Sequence, residues 1–309
     1  MITDNSVPVS VVVATKGRAA ECAVLLRWLQ RQTYQPVAVT LIGVETRDLP
    51  VIDGKMDFAV ARLLSESAGS TFQRNVGLDW LLTHEYLADD RGFVIFMDDD
   101  FRPADDWIEC AVEAFGSHPD VVGLTGWVLA DGVKGEGLSD ADAKAFVEGR
   151  LKAEPHWTNQ TDMFEILSGY GCNMAFRSTA ARELRFDEAL PLYGWQEDTD
   201  YTGQAVRFGR MVIARRCRGV HLGSKRGRTS GVRFGYSQIA NPLRIADRGN
   251  MNRKRALKFV CRALAGNVVN TLRRRPDVDY FGRLRGNMIA VGDLLRRRCR
   301  PARILELDA

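Results

Sequence analysis

Three consecutive aspartates, Asp98-Asp99-Asp100, directly follow the apolar run at residues 93–97 (FVIFM). Ligands of open α/β sheets bind beyond the carboxyl ends of the strands, so this position is typical of a binding site. Adjacent carboxylates repel one another unless a cation offsets their charge. Alternate residues of an extended chain face the same way, which makes Asp98 and Asp100 candidate ligands for Mg²⁺ or Mn²⁺. The competing interpretation is a solvated acidic turn before the next helix.

Two further segments carry side chains that could do chemistry. Residues 194–200 (GWQEDTD) place Glu197 and Asp198 at the start of a predicted helix, where one carboxylate could act as a general base. The helix dipole also favours acidic residues there, so a purely structural role is the alternative. Residues 73–77 (QRNVG) combine Arg74 with a helix start, which is typical of an anion site.

His221 is one of only four histidines in the chain. A single histidine in a folded protein is usually structural. It becomes a metal ligand only where other ligands join it, and Asp98 and Asp100 could supply them. His221 is therefore a candidate third ligand.

The elements that must position these residues follow from the spacing of apolar side chains. The predicted strands are 9–15, 37–44, 57–60, 93–97, 121–129, 173–177 and 211–214. The predicted helices are 20–32, 71–84, 106–116, 141–152, 179–184, 197–208, 250–274 and 283–298. This alternation predicts an α/β fold whose sheet is mainly parallel, with helices on both faces. After Gly223 the composition predicts a Gly/Arg-rich loop before the last two helices.

The net charge of +4 conceals two regions of opposite charge. Residues 1–223 hold 22 Lys/Arg and 33 Asp/Glu, whereas residues 224–309 hold 21 and 6. We therefore predict two domains, 1–223 and a basic, mainly helical C-terminal extension at 224–309.

The extension has two interpretations, because its last helix carries apolar residues at helical spacing followed by three arginines. It either packs on the first domain or attaches to an anionic membrane surface. The apolar residues are Leu284, Met288, Ile289, Val291, Leu294 and Leu295, and the arginines are Arg296, Arg297 and Arg298. No nucleic-acid partner is expected, since the extension has no recognisable nucleic-acid-binding motif.

The composition excludes several classes of protein. With 45% hydrophobic and 27% charged residues, the chain is neither disordered nor collagen-like nor a disulfide scaffold. No apolar run approaches the roughly 20 residues of a membrane-spanning helix, and residues 1–5 lack the pattern of a signal peptide. Six widely spaced cysteines without a CxxC pair favour reduced thiols. We therefore expect a cytoplasmic protein, with peripheral attachment to the inner face of the plasma membrane as an option.

Five segments, in this order along the chain, together resemble the family 2 glycosyltransferases of the GT-A fold. Residues 11–18 (VVVATKGR) resemble the family's first strand and the polar turn with arginine that follows it. Residues 73–77 are similar to its Ala-Arg-Asn-x-Gly helix start, and residues 96–100 (FMDDD) to its DxD strand end. Residues 171–177 (GCNMAFR) resemble the strand beside the acceptor site, and residues 194–200 the ED motif. The resemblance covers about residues 8–223.

This resemblance implies metal-dependent, inverting transfer of a sugar from a nucleotide-diphosphate donor to a hydroxyl of a glycan, glycolipid or other acceptor. The pathway implied is the synthesis of a surface polysaccharide or glycolipid. Asp198 is expected to be the base, with Glu197 beside it in the catalytic pair. Mn²⁺ or Mg²⁺ is the expected cofactor, and its expected ligands are Asp98, Asp100 and His221. Donor contacts are expected from Thr15, Arg18, Glu45, Arg74, Asn75, Asp98 and Asp99.

One segment departs from the family pattern. The family's second strand usually ends in an acidic pair followed by Gly-Ser, which contributes to recognition of the nucleobase. Here residues 41–48 read LIGVETRD, so Glu45 could replace the aspartate but the Gly-Ser is missing. The identity of the donor nucleotide therefore stays open.

Two other functions compete with this interpretation. A sugar-nucleotide nucleotidylyltransferase can share a related core, but it usually has a glycine-rich phosphate loop with a basic run after the first strand, and residues 16–18 (KGR) are too short for that. A non-catalytic, transferase-like protein with a basic membrane- or nucleic-acid-binding tail is the second. The presence of Asp98, Asp100 and Asp198 favours an enzyme.

Overall fold

The structure, a computed structural model, describes residues 6–154, 161–224, 230–275 and 278–307. The predictions for residues 1–5 and for the Gly/Arg-rich segment at 225–229 lie outside this part of the chain. The chain divides into two compact units. The sheet unit comprises residues 1–67, 73–185 and 205–227, and the helical unit comprises residues 68–72, 186–204 and 228–309. Residues 186–204 thus group with the C-terminal helices, whereas the predicted domain boundary lies after Gly223; the catalytic assignment of 1–223 stays a prediction.

Within the described residues, nine strands form one sheet in the order β3-β2-β1-β4-β8-β6-β9-β5, and β7 pairs with β9. The strands are β1 Val9–Ala14, β2 Ala38–Gly43, β3 Ala59–Leu64, β4 Phe93–Asp98, β5 Phe101–Pro103, β6 Val121–Asp131, β7 Met163–Glu165, β8 Asn173–Arg177 and β9 Arg210–His221. β1, β2, β3, β4, β6 and β9 share one direction, and β5, β7 and β8 run against them. The predicted α/β fold with a mainly parallel sheet is confirmed.

The α-helices alternate with the strands in the first two thirds of the chain and then follow one another. They are α1 Ala19–Gln30, α2 Ser70–Thr83, α3 Trp107–Ser117, α4 Asp140–Val147, α5 Ser178–Ala181, α6 Glu197–Ala205, α7 Gly231–Asp247, α8 Arg253–Leu272 and α9 Tyr280–Leu295. No helix in the described ranges is long and apolar enough to cross a membrane.

The core of the sheet unit explains why the strand predictions succeed. Val11 on β1 and Ile95 on β4 are fully buried in one cluster with Leu25 of α1 and Trp107 of α3. Strands covered on both faces read as continuous apolar runs rather than as alternating ones. β1, β2, β4, β6 and β8 accordingly lie within two residues of their predicted bounds.

The differences from prediction have local causes. The strand predicted at 211–214 continues to His221, because it pairs with β6 up to this residue and also with β5 at its end. The helix predicted at 141–152 ends at Val147, and Gly149 follows with a left-handed φ of +73°. β5, β7 and α7 were not predicted. α7 contains glycines and Pro242, which are unfavourable in helix interiors.

In the helical unit, α7 and α9 approach each other through glycines. A Cβ on Gly235 of α7 would lie 2.0 Å from the carbonyl oxygen of Arg283, and one on Gly286 of α9 would lie 2.0 Å from that of Val232. Only glycine permits such a close approach of two helix backbones.

Buried amides join the three C-terminal helices. Asn267 of α8 donates from Nδ2 to Gln238 Oε1 of α7 at 2.8 Å and to Asn287 Oδ1 of α9 at 2.7 Å. Asn287 in turn donates to the carbonyl oxygen of Gly235 at 2.6 Å. A network of this kind fixes one arrangement of the helices, because each partner lost leaves a buried polar group unsatisfied.

Candidate functional site

Asp98, Asp100 and His221 meet at the carboxyl end of the sheet. One ligand atom from each lies within 4.8 Å of the others, although His221 is more than 120 residues away from the aspartates along the chain. His221 and Asp100 are buried, and the side chain of Asp98 is 31% exposed. The structure thus brings together the three residues that the sequence analysis chose as metal ligands.

Strand pairing accounts for this meeting. Asp98 is the last residue of β4, and the turn at Asp99-Asp100 reverses the chain into β5. β5 pairs with the end of β9, where Phe101 lies opposite His221. The amide of Leu222 donates to the carbonyl oxygen of Asp100 at 3.0 Å, which fixes Asp100 beside the end of β9.

The three side chains suit a divalent cation. Asp100 Oδ1 is buried and makes no close hydrogen bond with a described residue, and its ion-pair contact is a long one, with His221 Nε2 3.4 Å away. A buried carboxylate oxygen is costly to leave in this state, and a cation would satisfy it. Two carboxylate oxygens and one imidazole nitrogen form a mixed ligand set that fits a divalent cation.

Electrostatics at the cluster are strongly coupled. Burial alone would lower the pKa of His221, but contacts with Asp100 and Asp131 outweigh it and raise the pKa to about 10. Burial would raise the pKa of Asp100, yet the adjacent His221 holds that pKa below its usual range. In the metal-free protein, His221 therefore carries a proton that a cation would replace.

Asp131 and Tyr170, which the sequence analysis did not select, orient His221. Asp131 Oδ1 lies 3.1 Å from His221 Nδ1, and the Tyr170 hydroxyl donates to Asp131 Oδ2 at 2.8 Å. A carboxylate on the second nitrogen of a histidine ligand fixes the ring and its tautomer. The signal in the sequence is weak, since Asp131 lies at the end of a long strand far from both aspartates.

Asp99 points away from the cluster and ties two loops together. It is fully buried, accepts a hydrogen bond from the Thr15 hydroxyl at 2.7 Å and contacts Arg18 Nη2 at 2.8 Å. Burial raises the pKa of Asp99, against the lowering effect of Arg18. Arg18 also reaches Asp100 at 3.3 Å. The contacts of Asp99 with Thr15 and Arg18 position the turn after β4. Contacts of these three residues with a nucleotide-sugar donor stay a prediction.

The α2 segment supplies the third side of this region. Arg74 is buried, and its Nη2 donates to Asp98 Oδ1 and to the carbonyl oxygen of Gly171, both at 2.9 Å. Asn75 is also buried. Gln73, which was not selected as a site residue, donates to the carbonyl oxygens of Thr15 at 2.7 Å and Ile42 at 2.6 Å. Arg74 therefore holds Asp98 in place next to the cluster.

The loop after β2 is organised by Asp48 rather than by Glu45. Asp48 is buried and accepts hydrogen bonds from the amides of Gly17 at 2.7 Å and of Val44 and Glu45 at 2.9 Å. Burial raises the pKa of Asp48, but these amides outweigh it and lower the pKa overall. Glu45 is exposed and pairs with Arg47 at 2.7 Å. Glu45 begins the short turn at Thr46–Asp48 and forms a capping box with Asp48, which is the residue that sequence reasoning missed.

Glu197 and Asp198 belong to the helical unit, where they begin α6. The left-handed residues Gly194 (φ +58°) and Gln196 (φ +68°) form the turn before this helix. Glu197 is buried, and Asp198 accepts a hydrogen bond from the amide of Thr199 at 2.6 Å.

The C-terminal helices support this turn. Asn241 of α7 donates to the carbonyl oxygen of Trp195 at 2.8 Å. The Trp195 ring lies 5.9 Å from Phe234 and 6.3 Å from Phe259, measured between centroids. Asp200 is buried and accepts from Asn250 at 2.9 Å, and burial raises its pKa. The extension therefore holds the acidic motif in place.

With this geometry described, comparison with known proteins relates the chain to glycosyltransferases. No protein-family model matches it. Glucosyl-dolichyl phosphate glucuronosyltransferase of Haloferax volcanii is 28% identical over 182 residues, which are 55% of this chain and 52% of that protein. The chain thus spans about half the length of this curated relative. It is homologous to a glycosyltransferase.

The fold comparison agrees. Mannosyltransferase PcManGT from Pyrobaculum calidifontis, solved in complex with GDP-Man and Mn²⁺, has a TM-score of 0.51 and 16% sequence identity. The match covers 95% of this chain and 89% of that one. The chain has a GT-A-like fold, as predicted.

Proposed function

We propose that this protein is a divalent-metal-dependent, inverting glycosyltransferase of the family 2 type. The observation that carries the proposal is the cluster of Asp98, Asp100 and His221 at the carboxyl end of a GT-A-like sheet. Ligands of open α/β sheets bind at this edge. Mn²⁺ in the complex of PcManGT and the glucuronosyl transfer named for the Haloferax relative agree with it.

Asp98, Asp100 and His221 would hold the cation in this proposal, with Arg74 and Asp131 keeping two of them in position. When bound beside the donor, Mn²⁺ or Mg²⁺ supplies Lewis-acid stabilisation of charge on the leaving diphosphate. Glu45, Thr15, Arg18 and Asn75 are the remaining donor-site candidates. Of these, Glu45 is exposed and available, while Thr15 and Arg18 act through Asp99.

Asp198 is the base that we assign. Inverting transfer forms a bond between the acceptor oxygen and the anomeric carbon while the bond from that carbon to the diphosphate oxygen breaks. The acceptor proton passes to the Asp198 carboxylate, which must be ionised beforehand. The positive charge of Arg255 stabilises the negative charge of the Asp198 carboxylate. Burial lowers the pKa of Arg255, and the attraction to Asp198 acts in the opposite direction. Glu197 is more buried and is the second member of the pair.

The acceptor that we favour is a glycan or lipid-linked hydroxyl, consistent with a role in surface polysaccharide or glycolipid synthesis. The name of the Haloferax relative specifies a dolichyl phosphate-linked glucose, which is a lipid-linked acceptor. The donor sugar and nucleobase follow from experiment rather than from the residues.

A nucleotide-sugar screen tests the proposal. UDP- and GDP-linked sugars, including UDP-glucuronic acid and GDP-mannose, are each incubated with the protein in Mn²⁺ and in EDTA. We expect one donor to raise the unfolding temperature and to be slowly hydrolysed in Mn²⁺ only. A protein that neither binds nor hydrolyses any nucleotide-sugar with Mn²⁺ would contradict the proposed function.

A further inference from the structure

Helix α8 exposes an apolar stripe along its outer face. Leu257 is 59% and Leu272 78% exposed, and Cys261 and Val268 are exposed between them. Successive positions are four, seven and four residues apart, so the four side chains lie on one side of the helix. A neighbouring face of the helix, about 100° away, is buried and carries Ala256, Val260 and Asn267. An exposed apolar stripe of four residues on one helix is unusual for a surface that only faces water.

The same helix is strongly basic. Between Asp247 and Asp277 the sequence contains nine Lys/Arg and no Asp or Glu. Lys258 and Arg262 lie one helical turn apart beside the stripe, both are exposed, and neither forms an ion pair with a described residue. Arginines 273–275 directly follow the helix and are exposed as well. Uncompensated positive charge next to exposed apolar side chains is the pattern of a helix that lies in a membrane interface.

The surface predicted from the sequence alone is a weaker candidate. The α9 residues Leu284, Ile289 and Val291 are half-buried, so only part of the predicted stripe is available. Of the three arginines after it, Arg298 pairs with the buried Asp293 at 2.7 Å. Arg298 therefore has a structural partner, so Arg296 and Arg297 are the arginines of this group that form no ion pair with a described residue.

We propose that α8 docks this protein on an anionic lipid bilayer, with the Leu257–Leu272 stripe inserted among the headgroups and Lys258 and Arg262 against lipid phosphates. The one-sided charge selects an anionic partner, and the regular apolar stripe distinguishes a lipid surface from an acidic polymer, which needs charge alone. This attachment is independent of the proposed transfer reaction. If the acceptor is lipid-linked, the attachment would also keep the enzyme at the membrane that contains this substrate.

Vesicle binding tests the proposal with matched variants. The full chain is sedimented with vesicles of equal parts phosphatidylcholine and phosphatidylglycerol. We expect Lys258→Gln/Arg262→Gln to lower the membrane partition constant at least about tenfold, since each basic residue near an anionic surface strengthens the electrostatic attraction to it. Leu257→Ser/Leu272→Ser should weaken it by about tenfold as well. The controls are Arg27→Gln/Arg62→Gln and Val51→Ser/Leu64→Ser, which change exposed residues of the sheet unit and should bind like the wild type.

Cys261 offers a direct measure of insertion. It is exposed on the stripe, while Cys22, Cys110, Cys172 and Cys217 are buried, so a Cys299→Ser chain takes an environment-sensitive fluorophore at Cys261. Its emission should shift to the blue with anionic vesicles. The same fluorophore on Arg62→Cys in a Cys261→Ser/Cys299→Ser chain should not shift. Unchanged thermal unfolding of every variant shows that they fold.

Three results would overturn the proposal. The first is a wild-type chain that ignores these vesicles at about 0.05 M salt, where screening is weak. The second is binding that the stripe variants retain in full, which would reduce α8 to a charged surface without insertion. The third is a concentration-dependent dimer that the stripe variants abolish while vesicle binding persists, which would make the stripe an interface between copies of the chain.

Discussion

The interiors of the sheet unit and of the helical unit are built in different ways. In the sheet unit, β1 and β4 bury uninterrupted runs of Val, Ile, Phe and Met. In the helical unit, Asn267 and Asn287 are buried while Leu272 is exposed, and α7 and α9 meet through Gly235 and Gly286. Large apolar side chains such as Ile239 and Ile245 are buried there too, but glycine contacts and amide hydrogen bonds lie where the three helices meet. Hydrophobicity therefore identifies the interior of the sheet unit, whereas it identifies only part of the interior of the helical unit.

The two units also carry different parts of the proposed chemistry. The sheet unit holds the metal cluster, and the helical unit holds Asp198 and the turn that presents it. A change in one unit should therefore affect one property of the enzyme and leave the other intact. The following predictions use this separation.

Asp198→Asn should have the largest effect. It removes the proposed base without touching the metal cluster, so turnover should fall about 10²-fold or more while donor affinity is nearly unchanged. Steady-state kinetics and calorimetric donor binding measure the two quantities. Thr199→Ser, at a neighbour that donates its amide to Asp198, is the control for a general disturbance of α6. Normal turnover in Asp198→Asn would shift the role to Glu197 or Asp200.

Gly286→Ala should strongly destabilise the helical unit. Its Cβ would lie 2.0 Å from the Val232 carbonyl oxygen, and we expect the free energy of unfolding to fall by about 3 kcal/mol. Gly292→Ala in the same helix meets only the flexible end of Arg296 at 3.2 Å, and it should stabilise by up to about 1 kcal/mol. If urea unfolding gave the same change in the free energy of unfolding for both substitutions, the close contact between Gly286 and the Val232 carbonyl would be contradicted.

Asp131→Asn tests whether the residue positions His221. The substitution should reduce Mn²⁺ affinity about tenfold, the scale of losing an outer partner of a metal ligand. The unfolding temperature should change little. Tyr170→Phe removes the hydroxyl that lies 2.8 Å from Asp131 Oδ2 and 3.2 Å from His221 Nδ1, and it should have a smaller effect in the same direction. Unchanged Mn²⁺ affinity, measured by calorimetry, would leave Asp131 as a structural partner alone.

The pH dependence of stability should reveal the smallest effect. Burial would raise the pKa of Asp187, but the hydrogen bonds from Arg244, at 2.5 and 3.0 Å, lower it overall. Its folded pKa lies below the unfolded value of about 3.9, so this stabilisation is present above that pH and is lost as the pH falls through the folded pKa. The unfolding temperature of Asp187→Asn should therefore lie below that of the wild type at neutral pH and converge with it in acid. A constant difference down to the lowest pH would exclude the ion pair as the cause.

The sequence predicts the sheet unit well for a physical reason. A strand buried on both faces is largely apolar, so β1 and β4 are recognisable from a single chain, as is β8 by its apolar centre at 174–176. α7 is not recognisable, because Gly231, Gly235 and Pro242 are unfavourable in an isolated helix. The two glycines are needed because Asp279 and Arg283 lie directly against them. Local patterns cannot report a stabilisation that comes from a partner more than 40 residues away.

The candidate site shows the same limit. Asp98 and Asp100 follow from the strand end, and His221 is a candidate because it is one of only four histidines, which the two aspartates could join. Asp131 and Asp48 have no distinctive neighbours in the sequence, since their importance comes from the pairing of β6 with β9 and from backbone amides of two separate loops. Residues that position other residues become visible only when the strands are assembled.

The most direct test of the central claim is Mn²⁺ binding in the presence of a nucleoside diphosphate, followed by calorimetry for the wild type, Asp98→Asn and Asp100→Asn. We expect the wild type to bind one Mn²⁺ per chain and both variants to lose this binding, while Asp53→Asn, at an exposed aspartate elsewhere, binds normally. Asp98→Asn guards against a folding defect, since its side chain is partly exposed. Equal Mn²⁺ binding by all four proteins would contradict the account, and so would donor turnover that is unchanged in EDTA.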